Sequence, residues 1–283
     1  MKILKFLFYS NFWIASIGGI YAAFLAWGNY NKFPDILLIF IPLSIYIAYN
    51  FLRLWQVKNY SLETASERHV YYIKYQDYIK WFSYCFSIIW ILCLAFFPFK
   101  IVLSLAPLAI ISLLYHPPLI INVFKLNLRE IPYLKSILVG ICWGYLLYLF
   151  PSLLIDNFKW YFLYNFFFLS LYFWAITIPF DIRDLAQDEI KNVPTLAVKL
   201  GIKTVKKISI ISLIICSILS LIGAYLDFLK PILAYSLAIS FILSIFIVYK
   251  AETDKPTWRF DAFIDGSMLI APALYLLLKF ALS

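Results

Sequence analysis

The sequence predicts an all-α integral membrane protein of nine transmembrane helices. Three observations carry that expectation. The first is composition: of 283 residues, 64% are hydrophobic, 20% aromatic and 14% charged, with a mean hydropathy of +0.86. Soluble domains carry about 25% charged residues, and 15 acids with 24 bases are too few to cover so apolar a chain. The second is a series of apolar runs near the roughly 20 residues that a bilayer core demands. The third is an alternation between short, nearly charge-free connections and longer basic ones. Together they exclude disorder, a fibrous repeat and a disulfide-stapled module.

The nine runs fall at 11–28, 35–52, 81–98, 101–117, 134–152, 160–180, 206–226, 231–249 and 264–282. Nothing between them reads as a soluble domain or a low-complexity linker, so residues 1–283 are expected to form a single polytopic membrane domain. Lys2 and Lys5 precede the first run, which has no small-residue cleavage site followed by a polar segment; a retained helix is expected. The connections 29–34, 99–100, 153–159 and 227–230 are short. Those at 53–80, 118–133, 181–205 and 250–263 are long. Nineteen bases lie with the N-terminus and the long connections, against five (Lys32, Lys100, Lys159, Lys230 and Lys279) on the other side. Basic loops stay cytoplasmic, so the N-terminus and long connections are placed inside. The formal net charge of +9 is accounted for in this way, with no nucleic-acid partner.

Several local features refine the picture. Residues 61–80 read as an interfacial helix. Its aromatic stripe, Tyr71, Tyr75, Tyr78 and Phe82, would lie at the headgroups or cap a cavity. Gly140 and Gly144 form a small-xxx-small pair suited to close helix packing within the bundle. Cys85, Cys93, Cys142 and Cys216 all sit in apolar runs without metal or disulfide spacing, and read as packing residues. His69 and His116 are isolated. Asp261 and Asp265 flank the start of the ninth run, where acids suit a positive helix end.

Twelve of the 15 acids lie on the side assigned to the cytoplasm. The sharpest group is Asp181, Asp184 and Asp188, which close the sixth run at spacings i, i+3 and i+7. On a continuous helix, about 100° per residue places all three within a sector of about 60°, and Arg183 points off that face. Mg²⁺ takes one or two carboxylates and fills its shell with water and phosphate oxygens, so these residues are the candidate metal ligands and catalytic acids.

These residues give the sequence a resemblance to the UbiA superfamily of intramembrane prenyltransferases. Asp181, Asp184 and Asp188 match its second aspartate-rich motif, DxxDxxxD. Val193-Pro194-Thr195-Leu196 through Leu200-Gly201 is similar to the continuation that follows it. Tyr115-His116-Pro117-Pro118, followed by Arg129 and the 134–144 helix, also looks alike; Asp265-Gly266 is a fainter echo. The resemblance implies nine helices around a central cavity and an Mg²⁺-dependent site for a polyprenyl diphosphate donor. It also implies a lipophilic acceptor, of the aromatic class. Abundant Ile, Lys, Asn, Tyr and Phe point to an AT-rich bacterial genome, so residence in the bacterial cytoplasmic membrane is expected. The family's first motif, N-D-x-x-D-x-x-x-D, is not matched. The corresponding stretch runs from Asn50 to Lys58, and Phe51, Leu54 and Lys58 stand where the aspartates belong. Asn50 would be a residual ligand. Arg53, Lys58, Lys125 and Arg129 read either as contacts to the diphosphate or as ordinary cytoplasmic bases. The rival reading is a catalytically degenerate relative that binds an isoprenoid or a partner enzyme.

Overall fold

The computed structural model describes residues 2–57, 67–115, 131, 133–190, 193–252 and 257–282, and all of the regular structure among them is helical. Lys58, Lys125, Arg129 and His116 lie outside the described residues, as does the start of the 61–80 segment. The first helices are α1 (Lys2–Tyr9), α2 (Phe12–Tyr30), α3 (Leu37–Val57) and α4 (Glu67–Leu94). A broken pair follows, α5 (Phe99–Ser104) and α6 (Ala106–Tyr115). Then come α7 (Leu134–Ile155, with a π turn at Tyr145–Leu149), α8 (Tyr161–Arg183) and the short α9 (Leu185–Ile190). The chain ends with α10 (Leu196–Tyr225), α11 (Pro231–Tyr249), α12 (Thr257–Phe263) and α13 (Ile270–Ala281).

Seven helices among the described residues are long and apolar enough to cross a membrane. The expected nine is therefore approximate: it is reached only by adding α2 and the broken α5–α6 pair. Of the 61–80 segment, residues 61–66 lie outside the described residues. From Glu67 onward it is the first part of α4, which bends at Tyr75 (φ −113°, ψ 16°) and continues to Leu94.

Helix α8 is the centre of the packing, flanked by α7 and α10. Its Tyr172 and Phe173 meet Tyr21 of α2 and Phe241 of α11, all four at most 1% exposed. Large apolar side chains such as Ile88, Ile218 and Phe246 on long apolar helices face outward, as suits a lipid-facing surface. Lipid supplies no hydrophobic drive between helices, so close packing and hydrogen bonds must hold them together. The Gly140–Gly144 pair serves this role: a Cβ on Gly140 would come within 2.7 Å of the Ser170 carbonyl oxygen of α8, and one on Gly144 within 3.1 Å of the Ser170 Cα.

Two features of α8 and α10 set the end of the bundle that carries the aspartates. Pro179 lies inside α8 and has no N–H to offer the carbonyl of Ala175 one turn back. The Ser209 hydroxyl of α10 donates to that carbonyl at 2.6 Å instead. Below the aspartates, Ile178, Ile182, Leu196, Ala197 and Val205 form a small separate apolar cluster. Gly201 breaks α10 between Ala197 and Val205 of that cluster, with φ 74° and ψ 158°, a conformation essentially confined to glycine.

Candidate functional site at the aspartate-bearing end of the bundle

Helix α8 does not run through the aspartate motif. It ends at Arg183, Asp184 takes a non-helical conformation (φ −93°, ψ 3°), and α9 begins at Leu185. The expected single three-carboxylate face is therefore split into two pairs of contacts. Asp181 and Asp188, both buried, converge on the ammonium of Lys135, which donates to Asp181 Oδ1 at 3.2 Å and to Asp188 Oδ2 at 3.4 Å. Asp184 turns instead to its neighbour. Arg183 Nε and Nη2 donate to the two carboxylate oxygens of Asp184 at 2.7 and 2.8 Å. Arg183 thus does not point away from the motif, because the break at Asp184 brings the two side chains together in a bidentate fork.

A chain of buried contacts continues from there. Arg183 Nη1 donates to Asp261 Oδ1 at 2.9 Å, and Arg68 Nη1 donates to both oxygens of the same carboxylate at 2.9 and 3.0 Å. Arg68 Nη2 donates to Asn11 Oδ1 at 2.7 Å. Asn11 occupies a left-handed conformation at the start of α2 (φ 65°), and its amide donates to Asn50 Oδ1 at 3.0 Å and to the Tyr72 hydroxyl at 2.5 Å. Tyr72 in turn donates to Asn50 Oδ1. Residues from α2, α3, α4, α8 and α12 are so joined at one end of the bundle.

The electrostatics are close to balance. Asp181, Asp184, Asp188 and Asp261 face Lys135, Arg183 and Arg68. Burial pushes the Asp184 carboxyl up, but the charge and hydrogen bonds of Arg183 outweigh it and bring the carboxyl down to about 2. Its side chain keeps 32% of its surface, so the carboxylate stays accessible while paired. Asp181 and Asp188 form a donor pair already gathered on one cation, which fits a single divalent ion completed by phosphate and water oxygens. No set of three His, Cys, Asp or Glu side chains among the described residues forms a larger metal cage.

The other sequence candidates fare differently. Asn50 is fully buried, and its Nδ2 donates to the carbonyls of Ser10 and Tyr46 at 3.2 and 2.9 Å while Oδ1 accepts two bonds. That uses its whole hydrogen-bonding capacity, which leaves no lone pair for a ligand. Arg53 lies over the Tyr72 ring at 5.6 Å, beside the neutral part of the network. Asp261 is no simple helix-end acid; it links two guanidinium groups. Sequence reasoning passed over Lys135, Arg68 and Asn11 as parts of the site. For Lys135 and Asn11 the available signal was position: each stands at the edge of an apolar run, where an ionisable or amide side chain marks a functional or tightly paired position; Arg68 lies in the long 53–80 connection and carried no such signal.

A polytopic helical bundle with an aspartate-rich, cation-paired site at one end defines the class of protein. The sequence matches the UbiA prenyltransferase family over residues 74–267, and the chain belongs to that family. Among solved structures it is similar to a UbiA homologue from Archaeoglobus fulgidus bound to GPP and Mg²⁺, with TM-score 0.64 and 14% identity over 96% of this chain and 99% of that one. It is also similar to the apo structure of a UbiA homologue from Aeropyrum pernix K1, with TM-score 0.63 and 16% identity over 94% and 98%. A structure concerned with digeranylgeranylglyceryl phosphate synthase aligns with TM-score 0.58 and 18% identity over 98% and 97%. At these identities the likeness is one of fold. A comparison with curated protein sequences gives no match.

Proposed function

We propose that this chain transfers a prenyl group from a polyprenyl diphosphate to a lipophilic acceptor, with an aromatic ring as the acceptor class, and that the aspartate-bearing end faces the cytoplasm of a bacterial inner membrane. The observation that carries this reading is the convergence of Asp181 and Asp188 on one cation beside the Arg183–Asp184 fork, in a chain of this family. Asp181 and Asp188 would hold Mg²⁺, which supplies charge neutralisation for a leaving diphosphate. Lys135 and Arg183 add positive charge where that leaving group develops negative charge. The C–O bond between the allylic carbon and the diphosphate breaks with its electron pair on oxygen. The allylic cation is taken by a nucleophilic carbon of the acceptor, which then loses a proton. The aromatic core supplies ring faces that tolerate a cation.

Thermal unfolding of the detergent-purified protein with geranyl diphosphate and longer prenyl diphosphates, with and without Mg²⁺, tests the donor half of the proposal without knowledge of the acceptor. A ligand at 100 times its Kd adds about 2.7 kcal/mol. We expect Mg²⁺-dependent stabilisation that Asp181→Asn removes. Absence of stabilisation by every chain length would overturn the donor assignment. One observation favours a second reading, a non-catalytic isoprenoid-binding relative: Asn50–Lys58 contains no acid, and Asn50 is fully engaged within the protein. Stabilisation without any release of diphosphate, across a panel of lipophilic acceptors, would support that reading instead.

A further inference from the structure

Lys135 stands in an electrostatically unfavourable place. It is the second residue of α7, in a first turn that holds no acid, and a cation there opposes the positive end of the helix. Its side chain is 21% exposed, and its two carboxylate partners are only 4% and 5% exposed. A lysine held so near a helix N-terminus needs compensation, and Asp181 and Asp188 provide it from α8 and α9. The same oxygens are the pair that fits a divalent cation. An ammonium and a divalent ion cannot share that position, because the two cations repel at contact distance.

We propose that Lys135 is a resident counter-ion of the Asp181–Asp188 pair, keeping divalent metal out of the empty site and yielding the carboxylates when a diphosphate arrives to take the ammonium. This rests on the reading of the pair as the metal-binding half of a prenyl diphosphate site. The lysine stem is flexible and its charge compact, so the ammonium can leave the carboxylates for the anion by turning about its own side-chain bonds. The diphosphate brings the negative charge that the ammonium would otherwise lose. Metal and donor then enter together, and the metal alone is excluded. Lys135 takes over part of the charge balance that a second aspartate cluster would give to a second metal ion.

The test reads metal binding rather than turnover. Mn²⁺ is titrated into the detergent-purified full chain by electron paramagnetic resonance, with no diphosphate present. For Lys135→Met we expect Mn²⁺ affinity at least tenfold above that of the unaltered protein. Addition of Asp181→Asn to Lys135→Met should abolish the gain, and Lys135→Arg should stay at the unaltered level. Should the methionine variant fail to fold, Lys135→Gln removes the charge, keeps a hydrogen-bond donor and is read in the same way. Equal Mn²⁺ affinity in the unaltered protein and the folded neutral variant would overturn the proposal. A parallel melting curve with geranyl S-thiolodiphosphate, a donor analogue that resists ionisation, separates the two claims. Stabilisation there together with equal Mn²⁺ affinities would sink the role of Lys135 alone. No stabilisation would sink the donor reading beneath it.

Discussion

The two halves of the polar end of this bundle are built on different principles. Around Asp181, Asp184 and Asp188 the contacts are charged: carboxylates are matched to Lys135 and Arg183 at 2.7–3.4 Å. Around Asn50 they are neutral. Asn11, Asn50 and Tyr72 satisfy one another and the carbonyls of Ser10 and Tyr46. A buried neutral network with every member paired fixes geometry but offers a ligand nothing to displace. A buried charged pair is different, because an incoming ion or anion can exchange for one partner. The aspartate half is therefore the part suited to chemistry, and the asparagine half holds α2, α3 and α4 in place beside it. Asp261 and Arg68 join the two.

That link is where the comparison breaks most easily. Asp261→Ala would leave the Arg68 and Arg183 guanidinium groups without the carboxylate they share. Removing one partner from a buried ion pair costs about 3–5 kcal/mol, so we expect a large fall in the melting temperature of the detergent-purified protein. An unchanged melting temperature would show that the halves stand independently. A smaller effect separates their roles. Asn50→Ala removes the acceptor of the Tyr72 hydroxyl and of one Asn11 amide hydrogen, and one donor each to the Ser10 and Tyr46 carbonyls; an unsatisfied buried group costs about 1–3 kcal/mol. We expect lower stability with the affinity for geranyl diphosphate unchanged once the variant is folded. A loss of donor affinity at unaltered stability would return Asn50 to the ligand-binding set.

Much of the fold was legible because its signals are long and repetitive. The run placed at 231–249 coincides with α11, that at 134–152 falls within α7, and that at 160–180 falls within α8 but for Trp160, which caps it. Apolar length is a property of one segment read by itself. What failed depended on contacts between segments. The break after Arg183 has no proline or glycine to announce it, so the spacing of Asp181, Asp184 and Asp188 described a continuous helix that the chain does not form. Lys135 is 46 residues from Asp181 and 53 from Asp188, and as one base among many it carried only a topological meaning. In the segment before Tyr75 the tyrosine stripe was legible, but the buried Arg68 and Tyr72 on the other side of the same turns, which tie it to α2, α3 and α12, were not. Gly201, by contrast, was visible in the motif continuation and proves to need its glycine.

Acid separates the two halves with the smallest of these effects, and without mutating the neutral one. The Asp184 carboxyl is held at about 2 in the folded protein, against an ordinary value of about 3.9. A carboxyl lowered on folding adds stability that is complete above the unfolded value and is lost as pH falls toward the folded one. Arg183 stays protonated throughout this range, so the loss comes from Asp184 alone. Melting temperatures of the unaltered protein and of Asp184→Asn should differ by a constant amount above pH 5, and the gap should close between pH 4 and about 2. Asn50→Ala has no titrating group of its own, so its gap to the unaltered protein should stay open over the same interval. Curves for Asp184→Asn that run parallel to the unaltered protein down to pH 2 would mean that the Arg183 fork does not hold the carboxylate ionised, and the charged half would lose its distinction from the neutral one.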